Sequence, residues 1–534
     1  MILSKNDVIQ NKKIWQISRE YAGIAEAGGV KNVCCSLAEG LIKKGFEVTH
    51  FIPLYGCTNL INIQDFDIFS ELEYCFKFKN KKYRVNYAHG YNNGVRIIFI
   101  INSQFTQKNG VYTYTILDET LNNHHKKGNG HEDSVLLDLM FQMAVLYYSL
   151  KTNDKSDIIH CQDAATSFIP FFARKIDIFK NHFSDVNFVV TIHNAGNGYH
   201  HSITLETAKE ITHLETKDLK GGILKDKVEP YLLSEPYATL STVSPWYADE
   251  IMDSQNETTG GLSKEFAKRK THIIGITNGI DYEKYNPTET HKSLLDFTYN
   301  PEKDDLEGKL KIREKFIKYY SVKHETIRSI IKNSDFIEQY GFLEYDADAV
   351  YFAFQGRMVE QKGIDVIEGA AKIVLEKFSK CRFIITGQGS SALENKCIKL
   401  ASHYPGKFLY LKGYERSIAR QCIAVADFIL LPSYFEPCCL EDFIAQIYGT
   451  IPIAHAAGGL CKIIDGKTGF LYKDNVPEKL ATIIMTLFKN KKKDSQKFLN
   501  ISRYAAMYIH KMYSWDKVIE SCYIPLYFDL EKKG

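Results

Sequence analysis

Two cations follow a predicted buried strand in the second half of the chain. The run Val350–Gln355 is apolar, and the segment QGRMVEQKG that ends it carries Arg357 and Lys362. Two cations at the carboxyl end of a strand are suited to neutralising a departing diphosphate without a metal ion. A solvated loop explains a single Lys or Arg equally well. A solvated loop explains less well why Arg357 and Lys362 occur together at a ligand-binding edge.

The segment SYFEPCCLEDFIAQ, residues 433–446, combines a carboxylate with a predicted helix start. A strand end here runs through Glu436 into the first turn of a helix. The Glu436 carboxylate can bind sugar hydroxyls, and the N–H groups that follow can face a phosphate or a ribose. Taken alone, Glu436 can also be no more than an acidic residue at a helix start.

The segment GIAEAGGVKN, residues 23–32, joins the first predicted strand to the first predicted helix. Its paired glycines, Gly28 and Gly29, let backbone come close to a ligand, and N–H groups at a helix start bind anions. A phosphate or a sugar hydroxyl is therefore one interpretation. A tight strand-to-helix turn without a ligand is the other, and this segment alone does not decide between them.

Polar side chains also follow two strands of the first half. Asp163 ends one apolar run, and His193 and Asn194 end another. Strand-end His and Asp residues often satisfy only local backbone groups. Asp163 with Glu436 is also compatible with a glycoside hydrolase that uses two carboxylates. A hydrolase, however, has no use for a phosphate clamp made of two cations.

Two series of alternating strands and helices position these residues. The first comprises residues 14–18, 30–42, 46–53, 95–102, 134–150, 158–160, 188–193 and 240–243. The second comprises residues 350–355, 364–378, 382–386, 392–403, 408–411, 417–426 and 428–432. The order predicts two doubly wound α/β domains with parallel sheets, divided near residues 275–285, with residues 64–93 and 199–233 as insertions of strand and loop. Because such domains bind ligands at the carboxyl ends of strands, we expect the site in a cleft that both domains face.

Composition argues against several classes of function. The 534 residues carry 67 Lys and Arg against 64 Asp and Glu, a formal charge of +3, so neither nucleic acid nor a membrane is an expected partner. The 12 cysteines show no paired C-x-x-C spacing, and we expect no zinc, no disulfide framework and no cofactor. No apolar run is long enough to span a bilayer, and the N-terminus lacks a signal-peptide apolar region. These features predict a cytoplasmic protein.

Together the segments resemble the family of bacterial glycogen synthases and plant starch synthases, retaining glucosyltransferases with the GT-B fold of two Rossmann-like domains. The matching segments, in family order, are EYAGIAEAGGVKNV, FIPLYG, DIIHCQDAAT, TIHNAG, STVSPWYADEI, GITNGIDYEKYNP, DLEGKLKIREKF, GRMVEQKGIDVI, SYFEPCCLEDF, YGTIPIAHAAGGL and YSWDKV. The resemblance implies an acceptor-side starch-synthase catalytic domain over residues 1–278 and a nucleotide-sugar-binding domain over 279–510. It also implies a C-terminal helix over 511–534 that returns to the first domain.

The resemblance further implies a role for each matched residue. Arg357 and Lys362 would hold the diphosphate, and Glu436 would contact the transferred glucose. The other donor-binding positions would be Gly28, Gly29, Cys438, Cys439 and Leu440. Asp163 and His193 would line the glucose pocket, with Asn194 on the acceptor side.

The implied reaction transfers glucose from ADP-glucose to the non-reducing 4-hydroxyl of an α-1,4-glucan. It is a front-face substitution in which the leaving diphosphate helps to deprotonate that hydroxyl, so no covalent carboxylate intermediate is expected.

Several positions depart from the family pattern. Glu26 stands where the family has Lys in Lys-x-Gly-Gly-Leu, and it should repel a diphosphate unless it turns outward or meets a cation such as Lys31. The remaining departures are Asn32 for an acid, Ala164-Ala165 for Trp-His, and Cys439-Leu440-Glu441-Asp442 for Gly-Leu-Thr-Gln. A side chain on Cys439 narrows the approach that glycine allows. Two alternatives therefore stay open: a synthase that uses UDP-glucose, and a non-catalytic glucan-binding or scaffold homologue.

Overall fold

The computed structural model of the protein describes residues 12–321 and 337–531. The chain forms two compact units, one made of Met1–Asn278 with Val518–Gly534 and the other of Gly279–Lys517. Each unit is an α/β domain with its own sheet. The expected α/β class with two domains is confirmed.

The first unit is built on a nine-stranded sheet in the order β12-β11-β7-β6-β1-β2-β5-β4-β3, with a separate three-stranded sheet β8-β10-β9. The strands are β1 (Lys13–Ile17), β2 (Glu47–Pro53), β3 (Gln64–Phe78), β4 (Lys81–Asn92), β5 (Val95–Ile101), β6 (Ile158–Gln162), β7 (Asn187–Ile192), β8 (Ile203–Thr204), β9 (Ile223–Leu224), β10 (Lys227–Val228), β11 (Thr239–Thr242) and β12 (Ile273–Gly275). Its α-helices span Val30–Lys43, Ser103–Thr106, Ile116–Leu121, Ser134–Thr152, Ile169–Lys175, Asp177–Lys180, Leu205–Thr212, Thr216–Leu219, Pro230–Ser234, Pro245–Met252, Leu262–Arg269 and Ile524–Glu531.

The helix Val30–Lys43 shows why the first βαβ unit forms where the sequence predicts it. Its buried residues Val33, Leu37 and Leu41 recur at helical spacing and form one apolar face. Gly45, with φ of +90°, lies just beyond the helix end and turns the chain into β2. Strands β1 and β2 then pair in parallel, with Ile14 opposite Val48.

The sheet of the first unit is mixed, which corrects the expectation of a parallel sheet. Strands β3 and β4, in the segment predicted to be an insertion of strand and loop, form an antiparallel hairpin at one edge. Its two-residue turn is Lys79-Asn80, and both residues have positive φ, of 47° and 60°. Such turns match the twist of paired strands and usually carry glycine. The absence of glycine here removed the sequence signal for the hairpin.

The second unit has a seven-stranded sheet in the order β13-β16-β15-β14-β17-β18-β19. The strands are β13 (Glu338–Gly341), β14 (Val350–Gln355), β15 (Cys381–Gly387), β16 (Phe408–Lys412), β17 (Phe428–Leu431), β18 (Ile451–His455) and β19 (Phe470–Tyr472). Its α-helices span Tyr282–Tyr285, Thr290–Ser293, Glu307–Tyr319, Ile364–Lys377, Ser391–His403, Arg416–Val425, Glu441–Ile447, Pro477–Lys493 and Ser495–Tyr513, and Trp515–Val518 crosses into the first unit. All neighbouring strands are parallel except β13, which is antiparallel to β16.

The sequence predicts that the C-terminal segment returns to the first unit from residue 511 onward. In the structure it returns later along the chain. Residues up to Lys517 belong to the second unit. The Tyr513 carbonyl accepts the Ile280 N–H over 2.7 Å, and Trp515 packs so closely on Gly279 that a Cβ there would lie 2.7 Å from the indole ring. These contacts fix residues 513–515 to the start of the second unit.

Candidate active site

The candidate residues of each unit follow the strands at which the strand order reverses. In the first unit this reversal lies between β1 and β6, and in the second it lies between β14 and β17. Open α/β sheets bind ligands outside the carboxyl ends of strands at such a point. Gly28 and Asp163 follow β1 and β6, whereas Lys362 and Glu436 follow β14 and β17. Each unit thus carries candidate residues at its own strand-order reversal.

In the loop after β1, a carboxylate of the chain itself occupies the N–H groups of the glycine segment. Glu20 Oε2 accepts the Gly28 N–H over 2.6 Å and the Ala27 N–H over 3.2 Å, and Tyr112 donates to Oε1. Burial raises the pKa of Glu20, and these hydrogen bonds oppose the rise. Gly29 is exposed, and an added Cβ there would meet nothing within 4 Å. The structure thus places Gly28 against Glu20 and leaves space at Gly29.

Glu26 meets a cation of its own segment. Lys31 Nζ donates to Glu26 Oε2 over 2.8 Å, and Glu26 Oε1 accepts the Gly23 N–H over 2.7 Å. The charge that the sequence reverses at Glu26 is therefore paired with the positive charge of Lys31, which lies in the first turn of the following helix.

Asp163 has a backbone conformation that is nearly restricted to glycine. Its φ of +66° and ψ of 174° lie in a sparsely populated region that costs about 1–3 kcal/mol and recurs at active sites. The side chain is fixed by Tyr231, whose hydroxyl donates to Oδ1 over 2.6 Å, and by the His193 N–H at 3.3 Å. Asp163 and His193, predicted separately, are therefore brought together.

The His193 ring is buried and neutral at physiological pH. Burial lowers its pKa, although the Asp163 carboxylate acts in the opposite direction. The ring atom Nε2 lies 2.8 Å from Gln162 Oε1, so with that oxygen as acceptor the ring proton is on Nε2. Asn194 accepts the Gly196 N–H over 2.8 Å and so shapes the loop after β7.

Behind these residues lies a charged network that sequence reasoning missed. Arg19 donates to Asp138 Oδ1 over 2.7 Å, and His201 Nδ1 lies 2.7 Å from Asp138 Oδ2. Burial acts to lower the pKa of His201, but the Asp138 carboxylate raises it above its ordinary value. Arg19 is adjacent to Glu20. Its position directly after β1 is the sequence feature that could have indicated this network.

In the second unit, Lys362 and Glu436 form an ion pair. Lys362 Nζ lies 2.7 Å from Glu436 Oε2, which also accepts the Ser433 hydroxyl over 3.0 Å. Burial acts to lower the pKa of Lys362, but the Glu436 and Glu441 carboxylates raise it above its ordinary value. Lys362 is thus a permanent cation. Arg357 is exposed, and no carboxylate of residues 12–321 and 337–531 forms an ion pair with it.

The turn after Glu436 keeps a glycine-like conformation without glycine. Cys439 has a φ of +68°, in the left-handed region that a side chain strains. The buried Lys462, which the sequence analysis did not single out, donates to the carbonyls of Cys438, Cys439 and Gly459. Its charge is paired with Asp442 Oδ1 at 2.9 Å. Lys462 therefore fixes the turn that contains the predicted donor-binding positions.

Within the described ranges, no group of three or more His, Cys, Asp or Glu side chains is placed to hold a metal ion. No helix in those ranges has the length and apolar character needed to cross a membrane. The 12 cysteines, all within those ranges, form no disulfide bonds.

Two family models match most of the chain. Residues 13–267 match the starch synthase catalytic domain, and residues 338–503 match the glycosyl transferases group 1 domain. A glycogen synthase from Thermodesulfovibrio yellowstonii is 29% identical, over 96% of this chain and 97% of its own length. A glycogen synthase from Streptococcus pneumoniae is 27% identical, over 97% of this chain and 99% of its own length.

Among solved structures, the catalytic domain of starch synthase IV from Arabidopsis thaliana, bound to ADP and acarbose, matches with a TM-score of 0.78. It is 22% identical, and the match covers 98% of this chain and all of that one. Sucrose-phosphate synthase from Thermosynechococcus elongatus matches with a TM-score of 0.58 at 14% identity, with the same coverage. These neighbours are glycosyltransferases of the GT-B fold. The fold class that the sequence predicts is confirmed.

Proposed function

Because the chain belongs to the family of bacterial glycogen synthases and plant starch synthases, we propose that it is a glucosyltransferase that extends an α-1,4-glucan. The donor is a nucleotide sugar, with ADP-glucose preferred, and the acceptor is the non-reducing 4-hydroxyl of the glucan. The observation that carries this proposal is the Lys362–Glu436 pair at the strand-order reversal of the second unit. It provides a permanent cation for the leaving diphosphate and, beside it, a carboxylate that can bind sugar hydroxyls.

The donor half acts by charge stabilisation. When the bond between glucose and diphosphate breaks, negative charge develops on the leaving phosphate, and Lys362 and Arg357 supply positive charge there. Arg357 is exposed and has no competing ion pair among the described residues. Glu436 binds hydroxyl groups of the transferred glucose. The acceptor hydroxyl attacks the anomeric carbon from the face that the diphosphate leaves, and the leaving diphosphate accepts the hydroxyl proton. The configuration is therefore retained without a carboxylate nucleophile.

The acceptor half acts by hydrogen bonding and orientation. Asp163 is held by Tyr231 and by the His193 backbone, so its second carboxylate oxygen can accept from a sugar hydroxyl. The pKa of His193 is lowered by burial, so its neutral imidazole serves as a hydrogen-bonding group and not as a cation. Asn194 belongs to the same loop. Fixed groups of this kind reduce the entropy cost of aligning two substrates.

A non-catalytic glucan-binding homologue is the second candidate function. The strained Cys439 and the acidic residues Glu441 and Asp442 at the donor turn favour it, because they replace small or neutral residues of the family pattern. Against it stands the Lys362–Glu436 pair, which a protein released from catalysis has no need to retain.

Release of nucleoside diphosphate tests the proposal. The full chain is incubated with glycogen and either ADP-glucose or UDP-glucose, and the diphosphate released is measured. We expect release, faster with ADP-glucose. No release with either donor, alongside retained binding to glycogen, would favour the non-catalytic alternative.

Lys362→Ala provides the residue-level test. We expect turnover to fall by about 100-fold or more, since a charge-stabilising group is lost, while binding to glycogen is unchanged. Lys372→Ala is the matched control, because Lys372 is an exposed lysine on the next helix and pairs with Glu368. Equal losses of turnover and glycogen binding in Lys362→Ala would contradict the assignment of Lys362 to the diphosphate.

A further inference from the structure

Glu441 is the first residue of the helix that follows the Glu436 turn, and its carboxylate interacts electrostatically with Lys362. Its Oε2 accepts the Leu440 N–H over 3.2 Å and the Cys439 thiol over 3.3 Å. The residue is half-buried. Burial acts to raise the pKa of Glu441, but Lys362 and the adjacent N–H groups hold it below its ordinary value. Glu441 is therefore ionised at neutral pH.

Glu441 lacks an ion-pair partner, unlike the acid beside it. Asp442 is fully buried and paired with Lys462 at 2.9 Å. No Lys, Arg or His nitrogen of the described residues lies within 4.0 Å of the Glu441 carboxylate. Its charge is compensated only at longer range, by Lys362, which Glu436 already holds at 2.7 Å.

The carboxylates that interact with Lys362 affect how tightly its ammonium group binds an anion. The Lys362 ammonium contacts the Glu436 carboxylate directly and interacts with the Glu441 carboxylate at longer range, so the two negative charges exceed its own charge. A nucleoside diphosphate that approaches Lys362 adds at least two further negative charges in a partly desolvated site, where like charges interact more strongly than in water. The Leu440 N–H, a predicted donor contact, already donates to Glu441.

We infer that Glu441 weakens the binding of a nucleoside diphosphate, as donor leaving group and as product, by competing for Lys362 and the Leu440 N–H. The inference rests on the proposed function. In kinetic terms, Glu441 raises the KM for the donor and hastens release of the product diphosphate, with a smaller effect on kcat. Binding to glucan is unaffected.

Calorimetric titration of the full chain with ADP, and separately with UDP, tests the inference. We expect Glu441→Gln, which keeps the shape but not the charge, to bind at least one of the two diphosphates about tenfold more tightly. Glu441→Thr is a second neutral variant, should the glutamine disturb the turn, and it should change affinity in the same direction. Glu441→Asp keeps the charge and should remain close to the wild type. The gain should shrink at high salt.

Asp365→Asn is the matched control. Asp365 is a nearby acid that accepts a hydrogen bond from Tyr434 over 2.7 Å, and we expect no change in its variant. The inference is overturned if neither neutral variant binds more tightly than the wild type, or if Asp365→Asn gains as much as Glu441→Gln. In the first case the proposed function stands, because binding itself persists.

Two other outcomes separate the inference from the proposed function. Tighter diphosphate binding by Glu441→Gln without glucosyl transfer by any variant supports the inference and overturns the proposed catalysis. Absence of binding of ADP and UDP by every variant overturns both.

Discussion

Lys31 and Glu26 form an ion pair with an N–O distance of 2.8 Å in the glycine-containing segment that follows β1 and opens the next helix. The pair is partly exposed, since the lysine side chain keeps 21% and the glutamate side chain 37% of its accessible surface. It should therefore contribute less than about 1 kcal/mol to stability. Its consequence for function is to neutralise Glu26, which would otherwise repel the proposed donor.

Lys31→Met should consequently weaken donor binding and leave stability almost unchanged. We expect the KM for the nucleotide sugar to rise by about threefold, because an exposed like charge is screened by solvent and salt. Adding Glu26→Gln to this variant should return the KM close to that of the wild type. Steady-state kinetics of the two single variants and the double variant measure the coupling. If the double variant were as impaired as Lys31→Met, Lys31 itself and not neutralisation of Glu26 would be responsible.

The strained backbone at Asp163 predicts that two substitutions with the same effect on activity differ in their effect on stability. Asp163→Gly and Asp163→Ala both remove the carboxylate, so both should lose most glucosyl transfer. Glycine adopts the φ of +66° without strain, whereas alanine does not. Although glycine also favours the unfolded chain by about 0.5–1 kcal/mol, we expect Asp163→Gly to be the more stable variant by about 1 kcal/mol. Urea unfolding curves of the two variants give the difference, and an Asp163→Ala variant more stable than Asp163→Gly by about 0.5–1 kcal/mol would show that the backbone stores no strain here.

Residues at strand ends could be predicted from the sequence, because local patterns determine where a strand stops. Lys362 and Glu436 follow apolar runs that the structure confirms as β14 and β17. What lies against them could not be predicted, because those partners are distant along the chain. Tyr231, which bonds Asp163, is 68 residues from it, and Lys462 is 24 residues from Cys438. Neither Tyr231 nor Lys462 belongs to a sequence motif that would identify it as a partner of the site.

Lys462 and Asp442 form an ion pair in which both side chains are almost fully buried. Burial raises the pKa of Asp442 to about 6, and Lys462 opposes a further rise. Lys462→Met leaves a buried carboxylate without its cation and three carbonyls without their donor, so we expect a loss of about 3–5 kcal/mol in unfolding free energy. Replacing both partners, as Lys462→Met with Asp442→Leu, should restore much of the loss. Chemical unfolding monitored by near-ultraviolet circular dichroism measures both, and a double variant no more stable than the single one would contradict the account.

Glu229 makes the stability of the first unit depend on pH. It is fully buried, Oε2 accepts the Leu232 N–H over 2.8 Å, and Oε1 has no hydrogen-bond partner among the described residues. Burial raises its pKa from 4.5 to about 8. Because the folded state retains a proton that the unfolded state has lost, stability falls as the pH rises from 4.5 to about 8.

Glu229→Gln cannot lose this proton, so its stability should not fall over the same interval. We expect the wild type and the variant to have similar melting temperatures near pH 5 and the variant to melt at a clearly higher temperature near pH 9. Glu206→Gln is the control, because Glu206 is exposed in the first turn of the helix Leu205–Thr212 and its variant should follow the wild type at both pH values. Thermal unfolding at the two pH values decides the matter. A constant difference between wild type and Glu229→Gln would mean that Glu229 is not the buried acid that titrates in this interval.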